Sequence, residues 1–531
     1  MSNLLYSATQ LRQIEQAYEL KHGNFFLMKK AGLATADYIA DKFPDCVQAG
    51  ILILAGPGNN GGDGLVAASS LLQRGYRLLV VCCNRDGDDL PHYQGAAALA
   101  WQEWQMISAS YPEHAQVLTL QQFMQLSQLA PPTYGLIVDA LFGLGLQRAL
   151  SGEIARLVEF CNQLRQQQAL PILALDLPTG IHSDSGARLT ADAVAICASH
   201  TLSFLADKPG LHTADALDYV GELTIADLDL QTADYPVAEY QLLNQHYPYV
   251  LPAKRLNNSH KGVFGDLYLL GGAVGMQGAL LLAARAARML GVGRLFLGFL
   301  EQAPAFDPIF PELMCRPAEQ LDLHKATVVL GPGLGQSPAA QALCARVFSQ
   351  AACVVVDADA LNCLAHHPEL QEIWRAHPGQ TRLLTPHPLE AARLLAGTSQ
   401  QVQAQRFVAL RDLCERYQAQ VILKGAGSLV AAPGSRCFIN SSGNHLLAAG
   451  GTGDILSGLC GALALLGLPM LEAAKLACYL HGAAADKLAI QHPGWPAASS
   501  DEILRASREV YAELLMRNNS QINHQCSVIS A

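Results

Sequence analysis

An α/β protein made of two different domains in series is the fold class the sequence predicts, each domain a parallel sheet with helices on both faces. Three observations predict it. At 531 residues the chain exceeds one ordinary core, since α/β domains run to roughly 150–250 residues. Its strand-length apolar runs show no polar alternation, the pattern of strands buried on both faces. A strand–turn–helix rhythm also occurs as two series whose turns differ in sequence, with no internal repeat.

In chain order, SATQLRQIEQAYELKHG predicts an amphipathic helix: Ser7 and Gln10 have capping-box spacing, and Leu11, Ile14, Ala17 and Tyr18 share one face. Strands are expected at Ile51–Leu54, Leu78–Cys82, Leu136–Val138 and Ile172–Leu175, each followed by a Gly- or Pro-bearing turn and a helix. A polar connection near Asp234–His246 separates the series, placing domains at 1–235 and 240–531. The second series has strands at Leu267–Leu270, Leu295–Phe299, Thr327–Leu330, Val354–Val356, Leu383–Leu384, Val421–Leu423 and Leu429–Ala431. The longest apolar stretch, Ile455–Met470, carries Gly458, Gly461 and Gly467 and is shorter than the roughly 20 residues of a membrane span, so it predicts a buried helix.

Composition narrows the function class. Half the residues are hydrophobic, 15% are charged and the net charge is −10, which argues against nucleic acid and for small-molecule substrates. The 14 cysteines form no CxxC pair and read as buried, reduced thiols. Arg12, Glu15, Glu19 and Lys21 occupy the place of a signal peptide's apolar region, so a cytoplasmic protein with no membrane contact is expected.

The densest chemical signal is ILILAGPGNNGGDGLVAASSLL. Gly56, Gly58 and Gly61 satisfy GxGxxG after a strand, with Asp86 near the end of the next one. Glycines let backbone N–H groups approach a phosphate at a helix N-terminus. Alone that match is weak, and Asn59, Asn60 and Asp63 suggest ion coordination or sugar binding as well. Asp139 and Asp176 end two further strands. One such Asp more often caps the following helix; three acidic loops at the carboxyl ends of one sheet favour a site.

GNNGGDGLVAA, DALFGLGL, LDLPTGIHSDSG and TLSFLADKPGLH resemble, in that order, the motifs of the NAD(P)H-hydrate epimerases over residues 1–230. The resemblance implies a Rossmann-like doubly wound domain that binds the hydrated dinucleotide and holds potassium. By position, Asn60, Asp139 and Thr179 meet potassium, with Thr179 standing where the family usually has Ser. Asn59, Asn60, Gly61, Gly62, Asp63, then Gly143, Leu144, Gly145, Leu146, Gln147, Arg148 and Ala149, and Asp176 meet the substrate. The reaction inverts the hydroxyl-bearing carbon 6 of the reduced ring and needs a proton carrier, for which Asp139 is the candidate.

In the second domain AAGGTGDILSGL puts Gly450, Gly451 and Gly453 at a helix start, an anion hole with Asp454 in its first turn. An Asp there can take a proton from a hydroxyl attacking phosphorus. GTGD resembles the GAGD signature of ribokinase-like sugar and vitamin kinases. HKGVFGDLYLLGG, GPGLG, VVDADALN, LTPHPLEAARLL and VILKGAGSLV join it in an order similar to the ADP/ATP-dependent NAD(P)H-hydrate dehydratases, over about 250–510. That implies a C-terminal ribokinase-like α/β domain in which Ala279, Gly333, His387 and Asp454 touch the substrate. Lys424, Gly425, Ala426, Gly427, Ser428 and Gly453 then hold ADP or ATP, with ADP favoured and Mg²⁺ accompanying it. HPLE, Gly443-Asn444-His445 and Leu447 depart from the family's HPGE, GNP and Met; no second His or Cys accompanies HPLE, which rules against zinc.

Two readings compete with a cofactor-repair enzyme. A Rossmann dehydrogenase fused to a sugar or vitamin kinase meets an acidic residue where pyrophosphate would sit. A nucleotide-sensing scaffold is at odds with intact Asp139, Asp176, Lys424 and Asp454. A homo-oligomer is expected.

Overall fold

In a computed structural model, residues 3–83, 92–129, 134–190 and 192–529 are described. Asp86 lies outside them. The chain divides into one compact unit at Leu4–Tyr240 and a second at Gln241–Ala531, to which Met1–Asn3 also belong.

The N-terminal unit is a seven-stranded, wholly parallel sheet. In spatial order its strands are Ala115–Thr119, Leu78–Cys82, Ile51–Ala55, Leu136–Ala140, Ile172–Leu175, His200–Phe204 and Glu222–Ala226. Chain order reverses between Ile51–Ala55 and Leu136–Ala140, the switch point of a Rossmann-like sheet, where ligands bind beyond the carboxyl ends of the strands. Alternate strand residues feed opposite faces. Ile51, Ile53, Val80 and Val138 meet helices Phe26–Lys42, Asn59–Gln73 and Gly95–Ser108, while Leu52, Leu54, Val81 and Ile137 meet Leu120–Leu129 and Gly152–Gln168. The first helix, Ala8–His22, has its predicted capping box at Ser7 and Gln10 and buries Leu11 and Ile14, but Ala17 is exposed.

The C-terminal unit is built on a mixed, mainly parallel sheet. Strands Gln420–Leu423, Thr381–Leu384, Cys353–Val356, Thr327–Leu330, Asp266–Gly271, Arg294–Phe299 and Met314–Pro317 run parallel in that spatial order. Leu429–Ala431 and Cys437–Asn440 continue the sheet antiparallel. One face packs on helices Gln277–Met289, Thr452–Leu465 and Met470–Gln491.

Two expectations change. The polar connection contains a strand, Tyr240–Leu243, whose Leu242 N–H donates to the Asn3 carbonyl at 2.7 Å. Ile455–Met470 is not one helix: Gly467, at φ +95°, turns the chain after Leu465, and Met470 starts the next helix. The described cysteines are free. No helix of the described residues is long and apolar enough to cross a membrane.

Candidate active sites

The N-terminal cleft lies beyond the switch point and has a volume of about 440 Å³. Its loops touch through glycine. A Cβ on Gly61 would lie 1.8 Å from the Gly56 carbonyl oxygen, and one on Gly56 would lie 1.9 Å from that of Leu141. These glycines therefore let loop 56–63 lie flush against the loop after Leu136–Ala140.

Asn59, Asn60, Asp63, Gly143, Leu144, Gly145, Leu146 and Asp176 line the cleft; Gly61 and Gly62 are buried beneath it. Gln147, Arg148 and Ala149 are not among the lining residues, and Gln147 and Arg148 are exposed. Arg12, which also lines the cleft, holds the loop by donating to the Leu144 carbonyl at 2.9 Å. A Cβ on Gly143 would come within 3.0 Å of Asp176 Oδ2 and 3.6 Å of Asn60 Cγ, so these three residues converge.

Asp139 is fully buried and does not line the cleft. It accepts from the Thr179 hydroxyl at 2.7 Å, the Thr179 N–H at 2.8 Å and the Leu141 N–H at 3.2 Å. Burial raises its carboxyl to about 6, against the lowering effect of those bonds. Beside the cleft, both side-chain polar atoms of Asn60 are buried with no partner among the described residues. A buried orphaned amide oxygen suits an oxygen-seeking cation or a polar ligand.

Sequence reading had not assigned Lys208 or Glu15. Lys208 is 1% exposed and its Nζ sits 2.8 Å from Asp176 Oδ1, also donating to Ser203 Oγ, the Phe204 carbonyl and the Ala206 carbonyl. Asp176 itself has φ +66°, a left-handed turn at the strand end that an Asp adopts at modest cost. Glu15 stands four residues after Leu11, on the helix's inward stripe, and lines the cleft. A carboxylate inside an apolar stripe was the signal for it. Burial, then the charges of Asp176 and Glu15, push the Asp63 carboxyl well up; burial and Asp176 raise Glu15 to about 7.

In the C-terminal unit Lys424 is the hub. Its Nζ lies 2.8 Å from Asp357 Oδ1 and 3.9 Å from Glu390 Oε2, and a Cβ on Gly453 would be 3.5 Å from it. Asp454 lies in the first turn of helix Thr452–Leu465, which starts after Gly451, whose φ of +89° makes the tight entry. Burial and the Asp357 charge raise the Asp454 carboxyl to about 7 against the pull of Lys424; Glu390 is likewise raised to about 7 by burial. Asp357 and Glu390 belong to predicted motifs but had not been named as site residues.

His387 is the N-cap of helix Pro388–Leu395. Its Nδ1 accepts from the N–H groups of Leu389 and Glu390 at 3.1 and 3.3 Å, and its own N–H donates to Glu390 Oε2 at 2.8 Å. With Nδ1 occupied the proton sits on Nε2, 3.3 Å from Glu390 Oε1; burial and Lys424 lower the imidazole, so the ring is neutral. Gly333, at φ +59°, accepts at its carbonyl from Ala273 N–H at 2.7 Å, and Ala279 lies in the first turn of helix Gln277–Met289. The loop 424–428 rests on buried Arg406, which donates to the carbonyls of Leu423, Lys424 and Gly427. Gly425 and Ala426 of that loop are exposed, and Ser428 Oγ donates to the Gly425 carbonyl at 3.0 Å.

A family model described as NAD(P)H-hydrate dehydratase matches residues 267–508, and one described as YjeF-related protein N-terminus matches 24–210. The bifunctional NAD(P)H-hydrate repair enzyme Nnr of Coxiella burnetii is 35% identical over 496 residues, covering 92% of this chain and 95% of that one. The chain belongs to the bifunctional NAD(P)H-hydrate repair enzymes. Its counterpart in Escherichia coli is 34% identical over 505 residues, covering 93% of this chain and 91% of its own. For the second half alone, the ADP-dependent (S)-NAD(P)H-hydrate dehydratase of Neisseria meningitidis is 44% identical over 246 residues, 45% of this chain and 82% of that protein. The model described as YjeF-related protein N-terminus matches within the first unit, and the one described as NAD(P)H-hydrate dehydratase within the second.

Proposed function

We propose that the chain returns hydrated NADH and NADPH to use in two steps, one per unit, with the unit boundaries near 235 and 240. The N-terminal unit interconverts the R and S forms at carbon 6. The C-terminal unit dehydrates the S form with ADP, giving AMP and phosphate, or with ATP. The observation that carries the reading is Asp454, a half-buried carboxylate raised to about 7 at a glycine-rich helix start beside Lys424.

There the ionised Asp454 accepts the proton of the carbon 6 hydroxyl as its oxygen attacks the terminal phosphorus. The N–H groups at the helix start and the Lys424 ammonium face the anionic group transferred. Phosphate then leaves carbon 6 with the bonding pair, a proton leaves carbon 5, and the ring double bond returns. The loop Lys424, Gly425, Ala426, Gly427, Ser428, with Gly453, is assigned to the nucleotide; Ala279, Gly333 and His387 to the substrate. Magnesium is taken to arrive on the phosphates: among the described residues no group of three or more His, Cys, Asp or Glu side chains is set to hold a metal ion.

In the N-terminal unit Asn60, Asp139 and Thr179 are the residues that would hold potassium, and the orphaned Asn60 amide supports that. Bound there, potassium would supply a fixed positive charge under the substrate. A cytoplasmic homo-oligomer completes the proposal.

The test is incubation with hydrated NADH, Mg²⁺ and ADP or ATP, following recovery of the NADH absorbance. Recovery of both epimers is expected. No recovery with either nucleotide would refute the reading.

A further inference from the structure

Epimerisation needs a group that reaches the ring and moves a proton, and Asp139 is sealed from the cleft by three hydrogen bonds and complete burial. The cleft itself presents another candidate. Glu15 projects from the inward stripe of helix Ala8–His22 and lines the same space as Asp63, Asp176 and the unpartnered Asn60 amide. Asp176 is engaged by Lys208 at 2.8 Å, which leaves Glu15, Glu19 and Asp63 as the cleft's carboxyls with no hydrogen-bond partner among the described side chains; Glu19 is exposed, whereas Glu15 and Asp63 are half-buried. The charged groups facing Glu15 are Asp176, Lys208, Glu19 and Arg12, together with Asp63.

We propose that Glu15 is the catalytic proton carrier of the epimerase reaction, working with Asp63 on the opposite face of the substrate ring. This rests on the reading of the N-terminal unit as an epimerase. Carbon 6 of the hydrated ring bears both the hydroxyl and ring nitrogen 1, so it is a carbinolamine. The protonated Asp63 gives its proton to the hydroxyl oxygen; the carbon–oxygen bond breaks, its electron pair leaving with water. The nitrogen lone pair forms a carbon–nitrogen double bond, giving a cation. Water adds to carbon 6 from the other face, the double-bond pair returns to nitrogen, and the proton released passes to the Glu15 carboxylate. No oxidant or reductant is consumed. In the reverse direction the two carboxyls exchange roles, which requires both protonation states to be accessible near neutrality. Burial and the Asp176 charge, raising Glu15 to about 7, meet that requirement.

The experiment uses the full chain with Glu15→Gln and Glu15→Asp. Each variant is given the R form or the S form of hydrated NADH with ADP and Mg²⁺. Dehydration of the S form, catalysed in the other unit, should match wild type in both. Conversion of the R form should fall about 10²-fold or more in kcat for Glu15→Gln, with KM little changed, and recover in part for Glu15→Asp. The wild-type kcat profile should show a limb near pH 7 that Glu15→Gln lacks. Wild-type conversion of the R form by Glu15→Gln with the limb intact would overturn the proposal, as would a variant that is merely slower with an unshifted limb. If the wild-type chain itself dehydrates S but fails to convert R, the epimerase reading falls instead.

Discussion

Replacing Asp454 by Asn should stabilise the C-terminal unit while abolishing most of its turnover. The carboxyl rises from 3.8 to about 7 because burial and the charge of Asp357, then those of Asp359 and Glu390, outweigh Lys424. A raised carboxyl contributes stability that is fully present below 3.8 and lost as pH climbs through about 7. Asn has no charge to bury, so the variant's advantage is absent near pH 4 and complete near pH 8. At about 1.4 kcal/mol per tenfold change in acidity the rise sets a ceiling of roughly 4 kcal/mol. Water still reaches the half-buried carboxylate, and the expected gain is ~1–2 kcal/mol, or about 3–6 °C in melting temperature. Turnover should fall at least about 10²-fold, because an amide cannot accept the hydroxyl proton. Melting curves at pH 5 and pH 8, paired with NADH recovery from the S form, read both effects. An equal displacement at the two pH values, or a lower melting temperature at pH 8 with activity retained, would refute the reasoning.

Three other outcomes follow from the geometry. Lys208→Met leaves the Asp176 carboxylate without its ammonium at 2.8 Å; conversion of the R form should be lost, with the N-terminal unit destabilised by about 3–5 kcal/mol in thermal melts and dehydration of the S form unaffected. Thr179→Val removes the hydroxyl that donates to Asp139 at 2.7 Å and should cost about 1–3 kcal/mol; a potassium titration of epimerisation should show a raised requirement. Gly61→Ala drives a Cβ to 1.8 Å from the Gly56 carbonyl, so epimerase activity should vanish while the S form is still dehydrated.

The interior strands were legible because burial on both faces writes them as uninterrupted apolar runs: Ile51–Ala55 and Val354–Val356 need no neighbour to be recognised. The strands that escaped are those whose burial is incomplete or mixed with polar residues. Ala115–Thr119 and Glu222–Ala226 flank the sheet and are half-buried, while His200–Phe204 carries Thr and Ser that bond internally. Among site residues, Asn60, Asp63 and Asp176 could be read from glycine loops at strand ends, since local sequence brings them to the cleft. Lys208 could not: it stands in the motif TLSFLADKPGLH, but nothing local marks its role, and only folding carries its ammonium to a carboxylate in a different loop. Asp357 and Lys424 likewise meet across two strands of the sheet.

Each unit gathers carboxyls about a lysine: Glu15 and Asp176 near Lys208, with Asp63 beside both carboxyls, and Asp357, Glu390 and Asp454 near Lys424. A dinucleotide or nucleotide brings further negative charge to such a place. Every arriving phosphate disfavours the ionised carboxyls, so occupancy and protonation are thermodynamically linked. Ligand capture in either unit therefore takes up protons from the medium near neutral pH. Its heat then varies with the ionisation enthalpy of the buffer, and alkaline conditions loosen the grip on polyanions before they touch any hydrogen bond.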